Sequence, residues 1–191
     1  MSVDPFITNQ IEFAATHYQF DITMSKRNRG FMSRNVTGTA TTRLTQLILE
    51  VFTLNNRLLT SGDRLVGQLG LSSTRWQVLG FIIENERTQP VAWIAREMGA
   101  YRQNIQRIVN ELVVDGLLQF APNPHHRRAH LVVPTDKGVA AHKAALQVQR
   151  PWAEALASGI SDADLEIAHR VVTTLRERLE RTGDRDAREN K

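Results

Sequence analysis

Two short amphipathic segments joined by little more than Gly99 and Ala100 constrain this chain more than any other feature of its sequence. In the first, Val91, Ile94, Ala95 and Met98 follow Pro90 at i, i+3, i+4 and i+7, and Gly99 stops the run. In the second, from Tyr101 to Gly116, the residues Ile105, Ile108, Val109 and Leu112 repeat that spacing. Each segment therefore has one face for a core. Helices this short, with so brief a joint, form a helix-turn-helix, a unit whose second helix suits the major groove of DNA.

The chemistry of the second helix fits that placement. Gln103, Asn104, Gln106 and Arg107 carry amide and guanidinium groups, which form paired hydrogen bonds with adenine and guanine edges. Arg102 sits at the helix start, where backbone N–H groups and the helix dipole favour a phosphate, so it positions rather than specifies. The competing reading is a merely solvated helix face. The residues after the helix weigh against it. Gly116 ends the helix, and Leu117 to Ala121 and Ala129 to Val133 are apolar runs of strand length around Pro122-Asn123-Pro124-His125-His126-Arg127-Arg128. A hairpin with a basic tip directly after a helix-turn-helix is a wing, and Arg127 and Arg128 suit a narrow minor groove.

The rest of the chain reads as helices around this unit. Residues 1–42 are polar, with Lys26, Arg27, Arg29 and Arg34 clustered, and are expected to form a flexible basic arm. Residues 43–70 hold one long helix, Leu44 to Leu69, with a weak point at Gly62. The winged unit occupies 71–134, opened by a helix that Ser72 caps and that runs to about Asn85. In 135–182, Thr135 caps a helix with a break or bend expected at Pro151, and Ser161 with Asp164 opens a last helix to about Arg181. Residues 183–191 form a charged tail. The fold class expected is mainly α (α+β): a winged helix-turn-helix with long terminal helices.

Composition removes other classes. With no cysteine there is no disulfide, thiolate metal site or cysteine nucleophile. No apolar run has a membrane span's length, and no secretory leader is evident, so a cytoplasmic location is expected. Lys and Arg exceed Asp and Glu, 24 to 20, which favours polyanionic partners. No phosphate loop, zinc-protease motif or Ser/His/Asp arrangement stands out, so neither an enzyme nor a cofactor is expected.

Taken together, Ile94-Ala95-Arg96-Glu97-Met98-Gly99, Arg102 through Val109, Leu112, Asp115-Gly116-Leu117, the hairpin Asn123 to Ala129 and Pro134-Thr135-Asp136-Lys137-Gly138 resemble the multiple-antibiotic-resistance regulator (MarR) family. The resemblance covers about Leu44 to Arg181. It implies a homodimer with interlocked terminal dimerisation helices, a pseudo-palindromic operator, and a repressor whose DNA affinity falls when a small aromatic ligand binds. It favours Arg128 as the wing residue inserted into the minor groove. Arg75 and Trp76 are candidates for the ligand pocket, although a tryptophan at such a spacing is more often core. Two other readings stand beside it: a winged protein-interaction module without DNA binding, and a metal sensor using His125, His126, His130 and His142.

The chain departs from the family pattern at two positions. Tyr101 stands where a Ser or Thr cap is usual, and His126 where the wing normally has Asp. A histidine there loosens the wing or ties its grip to protonation. The expected outcome for His126→Asp is loss of any difference in DNA affinity between about pH 6 and pH 8. Fluorescence anisotropy at both pH values checks it, and an unchanged profile counts against a role for the histidine.

Overall fold

The computed structural model describes residues 39–85 and 87–189, with side chains to residue 182. The basic arm expected at Lys26 to Arg34 lies outside the described residues. By its internal contacts the chain divides into two units, one ending at Thr53 and the other beginning at Leu54.

The described part of the first unit is helical from Ala40. Its threonines bond back into the helix: the Thr45 and Thr53 hydroxyls donate to the carbonyls of Thr41 and Leu49 at 3.0 and 3.1 Å. Leu47, Ile48, Leu49, Val51 and Phe52 are all exposed. The helix, α1, is Ala40–Val66. It starts earlier than expected, taking in residues assigned to the arm, and ends earlier, in a 3-10 turn at Gly67–Leu69.

In the second unit, α1 passes through Gly62 without a break. The reason is contact: Gly62 is buried, and a Cβ there would lie 2.5 Å from Ser73 Oγ. Close by, Asp63 Oδ1 accepts from the backbone N–H of Ser73 at 2.6 Å, satisfying a first-turn donor of α2, Ser73–Glu84. The Ser72 side chain caps the same helix by accepting from the Arg75 N–H.

After α2 come β1 (Gln89–Pro90), α3 (Val91–Glu97), α4 (Arg102–Val114), β2 (Leu118–Ala121) and β3 (Leu131–Pro134). The sheet has three antiparallel strands in the order β1-β3-β2, with Gln89 opposite Val132 and Phe120 also opposite Val132 on the other side. The sequence pattern shows only the hairpin. A two-residue strand is too short to display alternation, and Pro90, expected to open α3, instead precedes it in extended conformation and belongs to β1.

Burial follows the two helical periods. Val91, Ile94 and Ala95 on α3 and Ile105, Ile108, Val109 and Leu112 on α4 join Val78, Leu79 and Ile82 of α2, Leu118 and Val132 of the sheet, and Ala145 in one core. A fully buried Leu such as Leu112 contributes about 1.5–3 kcal/mol. Both short helices end alike. Gly99 and Gly116 have φ of 62° and 71°, and the following residues, Ala100 and Leu117, donate to Ala95 and Leu112, five positions back. This closure turns the chain sharply after α3 and sends it into the sheet after α4.

The last two helices are α5 (Asp136–Ala157) and α6 (Asp162–Glu189). Thr135 caps α5 as expected, accepting from the Gly138 N–H at 3.0 Å. The helix continues through Pro151 without the expected break, although an interior proline removes a ladder bond and crowds the carbonyl four residues before it. In α6 the Ser161 hydroxyl accepts from the Asp164 N–H and donates to its carboxylate. That helix runs beyond the expected Arg181 to Glu189.

Gly138 packs directly on the chain leaving α4, where a Cβ would lie 2.0 Å from the Leu117 carbonyl oxygen. Gly138→Ala is therefore expected to cost about 1–3 kcal/mol, despite alanine's better helix propensity. Gly67→Ala, with nothing within 4 Å, should change stability by less than about 1 kcal/mol. Urea denaturation followed by circular dichroism compares the two.

Candidate nucleic-acid interface

Helix α4 is held along one side and open along the other. Ile105, Ile108, Val109 and Leu112 are at most 3% exposed, which fixes the rotation of the helix about its axis. Arg102, Gln103 and Arg107 are exposed on the remaining surface, and Gln106 is half-buried. These four line one open groove of about 990 Å³ together with Arg75, Asn110, Glu111, Val114 and Asp115. Asn104 is exposed on the same helix but does not line the groove.

The sequence places Asn110 on the outward face with Gln103, Gln106 and Arg107 but gives it no role, and Glu111, Val114 and Asp115 are not expected there. The signal was available, since 103, 107, 110 and 114 continue a single helical stripe. Two side-chain bonds run along it. Gln106 Nε2 donates to Asn110 Oδ1 at 3.0 Å, and Arg107 Nη1 donates to Glu111 Oε1 at 2.6 Å. Val114, 85% exposed, is the apolar element of the stripe.

The two ends of α4 differ. At the N-terminal end Tyr101 is extended and its side chain makes no cap, so the first-turn N–H groups rely on other acceptors. At the C-terminal end the Arg75 guanidinium pairs with the Asp115 carboxylate and also donates to the Gly70 carbonyl. Lys137 Nζ donates to the Asp115 carbonyl at 2.7 Å, and the Thr135 hydroxyl to that of Gly116 at 2.7 Å. Cationic donors at a helix C-terminus also offset its partial negative charge.

The wing loop after β2 is shaped by Asn123. Its Oδ1 accepts from the His125 N–H at 3.0 Å, and its Nδ2 donates to the Ala129 carbonyl at 2.9 Å. His126, Arg127 and Arg128 are exposed in this loop. Neither arginine lines the groove along α4.

Arg75 and Trp76, adjacent in sequence, serve different places. Arg75 borders the α4 groove, whereas Trp76 lines a separate cavity of about 430 Å³ with Leu58, Phe81, Leu146 and Trp152. Polar groups share that wall. Trp152 Nε1 donates to Ser61 Oγ at 3.0 Å, and His142, 5% exposed, holds Nε2 3.2 Å from Glu84 Oε1. His142 is thus on α5, while His125, His126 and His130 lie in the wing loop. Among the described residues no group of three His, Asp or Glu side chains is placed to hold a metal, and no helix is long and apolar enough to cross a membrane.

The comparisons with known proteins agree with this geometry. Residues 69–129 match the model of the MarR family, a span reaching from the 3-10 turn before α2 to the wing loop. An uncharacterized protein of Mycobacterium bovis is 38% identical over 95 residues, half of this chain; the match spans 65% of that relative's length. The HTH-type transcriptional repressor IacR of Pseudomonas putida is 25% identical over 127 residues, 66% of this chain and 75% of the relative. In fold, the chain is similar to a MarR protein from Peptoclostridium difficile, with a TM-score of 0.66 over 81% of this chain and 97% of that one at 16% identity. Over residues 69–129, from the turn before α2 to the wing loop, the chain is thus similar in sequence to the MarR family, and its helix-turn-helix and three-stranded sheet share the fold of that solved MarR protein.

Proposed function

We propose that the chain is a sequence-specific DNA-binding transcriptional regulator that acts as a homodimer on a pseudo-palindromic operator and represses until a small aromatic ligand binds. The observation that carries this reading is the state of α4: its apolar side is pinned in the core, and its amide and guanidinium groups line an open groove. Gln103, Gln106 and Arg107 then address base edges, Arg102 a phosphate, and Asn104 the flank of the site. Arg127 and Arg128 reach the minor groove from the wing.

The dimer is supported by apolar surface on the terminal helices. Leu165, Ile167, Val171, Val172 and Leu179 of α6 are all exposed, as are Leu54 and Leu58 of α1. A second copy is the partner that buries such helices symmetrically, setting two recognition helices about 34 Å apart on one face of the DNA. Repression is supported by the resemblance to the Pseudomonas putida repressor. The aromatic effector is supported by the cavity, where Trp76, Phe81 and Trp152 offer ring faces beside Gln77 and Gln149.

Selection of bound genomic fragments by the full chain should enrich a palindrome. Arg107→Ala and Arg128→Ala should each weaken specific binding by about 1–3 kcal/mol. No enriched sequence from the unsubstituted protein sinks the reading.

The three tryptophans allow a direct test of the effector. Trp76 and Trp152 line the cavity, while Trp93 is 64% exposed elsewhere. Titration with simple phenols and aromatic acids should quench the Trp76 and Trp152 emission and lower DNA affinity over the same concentrations. Quenching that survives in the double Trp76→Phe, Trp152→Phe protein would locate binding outside the cavity.

A further inference from the structure

The contact between Arg107 and Glu111 is more than an ornament of an exposed helix. Arg107 Nη1 lies 2.6 Å from Glu111 Oε1, inside the groove and on the stripe that faces outward. The side chains are 65% and 43% exposed, so an ion pair here adds little to folding, and the fold gives no reason for an acid at this place. An acid in a groove meant for a polyanion is in fact costly for general affinity, because it repels phosphate.

The geometry favours a different use. An arginine has five N–H donors in a planar fork, and one carboxylate oxygen on Nη1 leaves enough of them to meet the two acceptors of a guanine edge. The same contact restricts an otherwise flexible side chain, so fewer of its conformations must be given up on binding. Arg107 lies in the second turn of α4, near the end that enters the groove in helix-turn-helix proteins, and Glu111 lies one turn farther back. The neighbouring bond from Gln106 to Asn110 follows the same direction, with the residue nearer the helix start tied to the one behind it.

We propose that Glu111 is a positioning residue that orients the Arg107 guanidinium toward one guanine in each half-site, setting sequence preference without touching a base. This rests on the DNA-reading function proposed above. Glu111 trades general attraction for discrimination: its charge weakens contact with any DNA, while its hold on Arg107 sharpens the choice of base.

The test is selection from a randomised duplex library by the full chain and by Glu111→Gln, Glu111→Ala and Arg107→Ala, with thermal unfolding of each. Arg107→Ala identifies the position that Arg107 reads. Both Glu111 variants should reduce guanine preference at that position by about fivefold or more. They should bind random-sequence DNA as tightly as the parent or tighter, and unfold at an unchanged temperature. A purely structural role would instead lower both kinds of binding together with the unfolding temperature. Unchanged guanine preference in both variants overturns the proposal. So does loss of preference at a position other than that of Arg107, which would make Glu111 a base reader itself. If the unsubstituted chain selects no sequence, the DNA-reading function falls and this role with it. If it selects one and the Glu111 variants select the same, only this role falls.

Discussion

The carbonyl groups that α4 leaves at its C-terminal end need partners, and much of the unit is arranged to supply them. Gly116 turns the chain so that Leu117 donates back to Leu112, and Thr135 donates to the Gly116 carbonyl from the start of α5. Arg75 from α2 and Lys137 from α5 reach the same end, one to the Asp115 carboxylate and the other to its carbonyl. Gly138 allows α5 to lie against Leu117 with no side chain between. Three helices thus converge on one turn. The other end of α4, at Tyr101, has no side-chain cap bond and presents Arg102 and Gln103.

A fastened C-terminal turn suits a helix that must be rigid about its axis yet offer side chains to another molecule. The buried stripe fixes rotation, the C-terminal turn fixes tilt, and the two bonds along the outward stripe fix side-chain direction. Order is therefore provided before any partner arrives, which lowers the entropic cost of docking.

The sequence showed most plainly what repeats at short range. The spacing of Val91, Ile94 and Ala95 and of Ile105, Ile108, Val109 and Leu112 marked the helix-turn-helix, because each helix buries a single stripe and the joint is too short for anything else. The wing strands and the Ser72, Thr135 and Ser161 caps were legible for the same local reason. Strand β1 was not, since two residues carry no period and its pairing with Leu131 and Val132 spans about forty positions. The pairing of Arg75 with Asp115 was equally hidden. Read by adjacency, Arg75 belonged with Trp76; in space consecutive residues on a helix point about 100° apart, so the two face different sites.

These two side chains, neighbours on one turn, border the cavity and the groove separately. The first turn of α2 carries Trp76 on the cavity wall and Arg75 against Asp115, and a single helical turn moves as one piece. A guest that displaced Trp76 would carry the Arg75 backbone with it and so load the turn to which α4 is fastened. Thermodynamic linkage makes such a lever work in both directions with equal force: whatever free energy a guest takes from DNA affinity, bound DNA must take from the guest.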